Sequence, residues 1–196
     1  MNRQEIEARL KKAKIGIAGA GGLGSNAAIA LARAGVGHLT IVDFDRVDES
    51  NLNRQYYFLE QVGEYKVEAL RENIERAVSG CEVVPLKLRL EPGKMAEPFS
   101  EMDLVIEALD EARMKVRLIE EVLLNLPDTP IIAASGVGGI GGTERVRVHR
   151  TGNLYLIEDP EAGSTCDAQV MLGPRVGLFA HYQASIALEL LVLKEE

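Results

Sequence analysis

The feature that most constrains the fold is a glycine-rich turn between an apolar run and an alanine-rich run. The apolar run KIGIA is followed at residues 19–24 by GAGGLG, which has the spacing G-x-G-x-x-G. In nucleotide-binding α/β sheets, Gly19 would permit the tight turn, Gly21 would let a phosphate approach the backbone, and Gly24 would let helix and strand pack closely. Gly22 would open a helix whose first amides face an anion. The pattern therefore predicts a nucleotide site.

Strand-like and helical segments alternate along the first two thirds of the chain. The expected strands cover residues 14–18, 38–43, 82–88, 104–107 and 131–134, and the expected helices 2–12, 22–34 and 63–78. After Gly142, strand-like runs at 143–149 and 154–158 predict a hairpin, and a final helix begins at about Pro174. This order predicts a Rossmann-like α/β fold, with a doubly wound, mostly parallel sheet, a C-terminal β-hairpin and a final helix. No linker interrupts it, so we expect a single domain over residues 1–196.

Composition and charge narrow the class of protein. The formal net charge is −8, which disfavours nucleic acid as a partner because affinity for phosphates needs a basic surface. The charged N-terminus is unlike a secretory signal, and polar residues interrupt the apolar stretch 178–193, so we expect a buried helix, no membrane contact and a cytoplasmic protein. Cys81 and Cys166 form no C-x-x-C pair, so no structural zinc site is expected.

Polar residues follow the second expected strand. Asp43 ends that strand, where a carboxylate can hold ribose hydroxyls, and the next residues lie at the sheet edge where ligands bind. The candidate ligands of the nucleotide in this segment are Asp45, Asn51, Asn53, Arg54 and Gln55. Lys66 follows on the next helix. Arg54 and Lys66 can neutralise charge on a leaving pyrophosphate, which favours ATP over NAD.

Asp110 follows the fourth expected strand at the same edge of the sheet. A carboxylate there can bind Mg²⁺, which usually takes one or two carboxylates together with phosphates. Simpler roles stay open at this stage. Asp110 could cap the helix beginning at Ala112, Arg54 could form a surface ion pair, and Lys66 could lie on a solvated helix face.

Four runs of residues together resemble the ThiF/MoeB/HesA family, relatives of the ubiquitin-activating enzymes that adenylate sulfur-carrier proteins. These runs are GAGGLG at 19–24, DFDRVDESNLNRQ at 43–55, GEYKVE at 63–68 and IEALDE at 106–111. The resemblance implies an adenylyltransferase that uses ATP and Mg²⁺ to activate the Gly-Gly carboxylate of a small ubiquitin-like sulfur carrier. It also implies a homodimer. The short length is most similar to compact ThiF-type proteins of thiamine biosynthesis, which implies a ThiS-like carrier.

The resemblance also assigns roles to side chains. It implies that Asp43 binds the ribose and that Arg54 and Lys66 neutralise the phosphates. It also implies that Asp110 binds the metal ion and that Asn51 and Gln55 support the site. Glu111 stands where relatives often carry Asn. Cys166 falls where relatives place a cysteine that can join the carrier covalently, and a bystander role for it stays open.

A second glycine-rich run covers residues 135–142. It could let an extended Gly-Gly tail pass close to its backbone, or it could be a flexible crossover. Alternative functions also stay open. They are activation of a MoaD-like carrier in molybdopterin synthesis, activation of a tRNA base, NAD(P)-dependent oxidoreduction, and non-catalytic binding.

Overall fold

Seven strands form one sheet at the centre of the structure, a computed structural model that describes residues 1–162 and 170–193. In chain order they are β1 (Lys14–Ala18), β2 (His38–Val42), β3 (Glu82–Leu86), β4 (Leu104–Glu107), β5 (Ile131–Ser135), β6 (Arg147–Thr151) and β7 (Leu154–Glu158). Their order across the sheet is β3-β2-β1-β4-β5-β7-β6. Neighbouring strands are parallel except β6 and β7, which form an antiparallel hairpin.

Helices cover both faces of the sheet. They are α1 (Arg3–Lys12), α2 (Gly22–Ala34), α3 (Lys66–Ala77), α4 (Ala112–Asn125) and α5 (Gly173–Leu193). One buried cluster joins α2, α3 and α5 to one face, and a second joins α4 to the other through Leu118 and Val122. The predicted Rossmann-like fold, with its hairpin and final helix, is confirmed.

The sequence of β1 reflects burial on both faces. Ile15 and Ile17 are fully buried in the cluster with α2, α3 and α5. Gly16, between them, faces the other cluster, where a Cβ would lie 2.4 Å from the ring of Phe99. Only glycine therefore fits against that ring. The alternation explains why the central strand reads as an apolar run broken by glycine.

Helix α5 is long and apolar enough to cross a membrane by length and composition alone. Instead, Phe179, Ala180 and Ala187 are fully buried in the cluster with α2 and the sheet. The prediction of a buried helix is confirmed.

The two largest errors in predicted boundaries have local causes. α3 begins at Lys66 rather than Gly63, because the Gly63 amide donates to the Val47 carbonyl (2.9 Å) and the preceding residues follow that loop. Strand β6 begins at Arg147 rather than Thr143, because residues 143–145 form a 3₁₀ turn.

Chain order positions the site. β1 lies between β2 and β4. From β1 the chain adds β2 and β3 on one side, and it then crosses to add β4 and β5 on the other side. Ligands bind to doubly wound sheets at such a switch point, outside the carboxyl ends of the strands.

Candidate nucleotide-binding site

A cavity of about 1010 Å³ lies at the carboxyl ends of β1, β2, β4 and β5. Ten of the residues proposed from the sequence line it: Gly19, Gly21, Gly22, Asp43, Asp45, Asn51, Arg54, Gln55, Lys66 and Asp110. Gly24 and Asn53 do not. Gly24 is buried, and the amide of Asn53 donates to the Met171 carbonyl (3.1 Å). The topology thus brings most of the predicted residues to one place.

The glycine turn holds an open helix N-terminus against this cavity. Gly19 has φ +101°, and a Cβ at Gly24 would lie 1.8 Å from the Gly19 carbonyl oxygen. Both positions therefore require glycine. Gly21 is the N-cap of α2 and provides no side-chain cap, while a Cβ there would meet nothing closer than the Gln55 amide at 3.8 Å. The first amides of α2 can therefore bind an anion.

Two side chains fix the peptide groups on either side of Ala20. Asp43 Oδ2 accepts from the Ala20 amide (2.6 Å), and its Oδ1 accepts from the Asp45 amide (2.7 Å). The buried phenol of Tyr57 donates to the Ala20 carbonyl (2.6 Å). Burial raises the pKa of Tyr57 well above its usual value, so the phenol stays protonated and remains a donor. Sequence reasoning missed Tyr57.

Arg54 is held by neutral partners. Its guanidinium donates to the side-chain oxygens of Asn51 (2.6 Å) and Asn53 (2.8 Å) and to the Ser50 carbonyl (3.3 Å). Among the described residues it has no carboxylate partner. Its positive charge is therefore uncompensated beside the cavity, unlike that of a residue in a surface ion pair.

Lys66 is buried at the start of α3, with only 7% of its surface exposed. Its ammonium lies 3.0 Å from Asp45 Oδ2, and its amide donates to the Asp45 carbonyl (2.9 Å). This burial excludes the alternative of a solvated helix face. The lysine is held where it lines the cavity.

Asp110 is exposed and lines the same cavity. The N-cap of α4 is Glu111, which also lines the cavity and makes no side-chain cap bond. Asp110 is therefore not the residue that caps α4. Its carboxylate is available to a ligand in the cavity.

A buried ion pair supports the turn that carries Asp110. Lys115 lies 2.9 Å and 2.7 Å from the two carboxylate oxygens of Glu107, which is fully buried, and donates to the Leu109 carbonyl (2.9 Å). Glu107 also accepts from the Leu109 amide (2.8 Å). Burial raises the pKa of Glu107, and Lys115 opposes that effect. Sequence reasoning missed this pair.

The second glycine-rich run begins in the same cavity, which Ser135, Gly136 and Val137 line. Its backbone is bound by Arg175 of α5, which favours a held run over a flexible crossover. Cys166 lies outside the described residues.

The fold and this site define a nucleotide-binding α/β protein, and comparison with known proteins specifies the class. The model of the ThiF family matches residues 3–196, and the chain belongs to that family. The resemblance inferred from the motifs is confirmed.

Named relatives fall into two groups. "Adenylyltransferase and sulfurtransferase UBA4" of Eremothecium gossypii is 35% identical over 191 residues, covering 94% of this chain and 43% of that protein. "tRNA threonylcarbamoyladenosine dehydratase" of Bacillus subtilis is 39% identical over 129 residues, covering 65% of this chain and 50% of that protein. The chain thus spans half or less of the length of these relatives.

A solved structure matches almost the whole chain. It is E. coli tRNA N6-threonylcarbamoyladenosine dehydratase, TcdA, in complex with AMP, with a TM-score of 0.87 and 25% identity. The match covers 96% of this chain and 90% of that one. The predicted class of enzyme, an adenylyltransferase, is the class named for the UBA4 relative, and the TcdA structure holds an adenine nucleotide.

Proposed function

We propose that this protein uses ATP to adenylate the C-terminal carboxylate of a small ubiquitin-like carrier protein that ends in Gly-Gly. The observation that carries the proposal is the position of two cations, Arg54 and Lys66, and one free carboxylate, Asp110, in the cavity of the glycine turn. A dinucleotide needs only the turn and a ribose-binding acid. Binding of a triphosphate with its metal ion also requires cations for the phosphates and a second carboxylate for the metal.

The nucleotide is positioned by backbone amides and by Asp43. The uncapped start of α2 binds phosphate oxygens, and Asp43, at the end of β2, binds the ribose hydroxyls. Asp43 already fixes the Ala20 amide, so the ribose and the phosphates are placed relative to the same turn. These interactions would bind ATP before any chemistry begins.

Mg²⁺ fits the residues present. Asp110 is an exposed carboxylate on the cavity wall, which suits an ion that binds through one or two carboxylates and substrate phosphates. When bound, Mg²⁺ supplies neutralising charge for the phosphate oxygens. Lys115 and Glu107 hold the backbone of Leu109, the residue before Asp110.

The reaction needs positioning and charge more than proton transfer. The carrier carboxylate attacks the α-phosphorus of ATP, so a carboxylate–phosphorus bond forms and the bond to the leaving pyrophosphate breaks. Arg54 and Lys66 neutralise the charge that develops on pyrophosphate. The nucleophile is already ionised at neutral pH, so no general base is required. A thiol such as Cys166 could act only later, on the acyl-adenylate.

The carrier is proposed from the family and from the glycine-rich run. We favour a ThiS-like carrier of thiamine biosynthesis, with a MoaD-like carrier as the alternative of the same chemistry, and a homodimer as the working assembly. The UBA4 relative is named for adenylyl and sulfur transfer, which is compatible with a sulfur carrier of either kind.

A second candidate is action on a modified tRNA base. The Bacillus subtilis relative and the E. coli TcdA structure, both named as tRNA dehydratases, favour it. The net charge of −8 opposes it, because tRNA binding depends on cations facing the phosphate backbone.

Carrier-dependent exchange of labelled pyrophosphate into ATP tests the proposal. We expect exchange with a purified ubiquitin-like protein ending in Gly-Gly and none without a carrier or with transfer RNA. Exchange that requires transfer RNA and occurs with none of the carrier proteins would overturn the proposal in favour of the second candidate.

A further inference from the structure

Arg175 binds the second glycine-rich run through its backbone. The side chain extends from α5, and only 9% of the residue is exposed. Its Nε atom donates to the carbonyls of Gly138 (2.8 Å) and Val137 (3.1 Å), and Nη2 donates to that of Gly136 (3.0 Å). Nη1 donates to the Gly141 carbonyl. One guanidinium therefore binds four carbonyl oxygens within six residues of chain.

Asp159 holds this guanidinium in place. Its Oδ2 lies 2.7 Å from Nη2 of Arg175, and its side chain is fully buried after β7. Arg145 binds the same carboxylate at 3.1 Å and 3.2 Å. The hydrogen bond from Arg145, and then that from Arg175, lowers the pKa of Asp159 to about 2, so the carboxylate is charged at neutral pH.

The backbone of the run requires glycine at several positions. Gly136, Gly139 and Gly141 all have positive φ angles. A Cβ at Gly136 would lie 2.3 Å from the Asp159 carbonyl oxygen. The Gly139 amide donates to the Val170 carbonyl (2.8 Å), and the bonds from Arg175 hold four of the carbonyls of the run.

The fixed run forms part of the cavity wall. Ser135, Gly136 and Val137 line the cavity on this side, and Met171 and Val176 line it as well. Arg175 itself does not line the cavity. Arg175 therefore affects the cavity only through the glycine-rich run that it binds.

We propose that Arg175 is a positioning residue, which fixes the glycine-rich run as the wall against which the carrier's Gly-Gly tail lies. The inference rests on the proposed function and names a determinant of partner binding within it. A tail of glycines offers only its backbone to a binding site, so the position of the opposing backbone decides whether it is held. Small misplacement of a reacting group can cost on the order of a hundredfold in rate.

The test compares Arg175→Lys with a matched control, Arg145→Gln. Lysine keeps the charge near Asp159 but cannot form the planar fork that reaches four carbonyls. Arg145→Gln removes the other cation from Asp159, while the side chain of Arg145 contacts none of those four carbonyls. The measurements are the carrier KM in pyrophosphate exchange, the Kd of Mg-ATP by calorimetry, and amide hydrogen exchange over residues 136–141.

We expect Arg175→Lys to raise the carrier KM about tenfold or more, with the Kd of Mg-ATP within about twofold of wild type. Amides of the run should exchange faster in this variant than in Arg145→Gln, whose carrier KM should stay near wild type. An unchanged carrier KM in Arg175→Lys, or an equal rise in both variants, would overturn the inference. If the wild-type protein shows no carrier-dependent exchange, the proposed function fails. The inference about a carrier site then falls with it, and hydrogen exchange still decides whether Arg175 fixes the run.

Discussion

The phenol of Tyr57 donates a hydrogen bond of 2.6 Å to the carbonyl of Ala20, inside the glycine turn. The adjacent peptide group is held by Asp43, which accepts from the Ala20 amide at 2.6 Å. The turn is thus fixed on both sides of one residue before any phosphate binds. Such preorganisation lowers the cost of ordering the site when the ligand arrives.

Removal of the Tyr57 hydroxyl tests this relationship. Tyr57→Phe keeps the ring but leaves a buried carbonyl without its donor, which should lower the free energy of unfolding by about 1–3 kcal/mol. The Kd of ATP should rise severalfold, because the turn is less fixed. The matched control is Tyr56→Phe, which removes a neighbouring hydroxyl that does not bond the turn. Equal effects of the two substitutions on ATP affinity would contradict the assignment.

Asp110→Ala tests the proposal that Asp110 binds Mg²⁺. Because Mg²⁺ loses a carboxylate at the step where charge develops, the exchange rate should fall on the order of a hundredfold or more, while the melting temperature stays close to wild type. Asp128→Ala, an exposed carboxylate away from the cavity, is the control for loss of charge. Exchange kinetics at saturating Mg²⁺ measure the effect. A rate near wild type would remove Asp110 from the metal site.

Asp159→Asn tests the buried ion cluster behind the glycine-rich run. At pH 7 the substitution leaves buried Arg175 without its counter-ion, and loss of one partner of such a pair costs about 3–5 kcal/mol of unfolding free energy. The folded-state pKa of Asp159 is about 2, below its usual value. The carboxylate therefore stabilises the fold fully above about pH 4, and this contribution is lost as pH falls toward 2.

Urea unfolding at pH 7 and at pH 3 measures the difference. The difference in unfolding free energy between wild type and Asp159→Asn should be smaller at pH 3 than at pH 7. The control Asp128→Asn should have the same unfolding free energy as wild type at pH 7. A gap that widens at pH 3 would contradict the lowered pKa of Asp159.

Cys166→Ser tests whether the thiol acts during adenylation or only later, on the acyl-adenylate. Adenylation needs ATP, Mg²⁺ and a carboxylate, so pyrophosphate exchange should stay within about twofold of wild type. If Cys166 captures the acyl group, the variant should instead fail to form a carrier adduct that thiol reductants cleave, visible on a non-reducing gel. A large loss of exchange with ATP binding intact would place the thiol in the first half-reaction.

The parts of the site predicted from the sequence are those that local spacing encodes. The glycine turn, Asp43 and Asp110 each follow the end of a parallel strand, and such ends meet at one edge of the sheet. Their common position could therefore be predicted without knowing how the helices pack. The fold class followed from the same alternation of strands and helices.

The residues that sequence reasoning missed act across long stretches of chain. Tyr57 reaches Ala20 over 37 residues, and Arg175 reaches Gly136 over 39. Each looks ordinary in sequence, one within a run of three aromatic residues and one at the start of a helix. Their roles arise from how distant elements pack, and spacing along the chain does not encode this. Asn53 differs from its motif neighbours Asn51 and Arg54, which line the cavity, because its own amide donates to the Met171 carbonyl.

In the proposed reaction, the reacting group is the carrier's terminal carboxylate and the nucleotide is ATP. The most direct measurement is pyrophosphate exchange with one carrier prepared in two forms, with a free C-terminal carboxylate and with a C-terminal amide. We expect exchange with Mg-ATP for the free carboxylate and none for the amide, because the amide is not a nucleophile toward phosphorus. Equal exchange with both forms, or its absence with every Gly-Gly carrier together with tight binding of NAD, would contradict it.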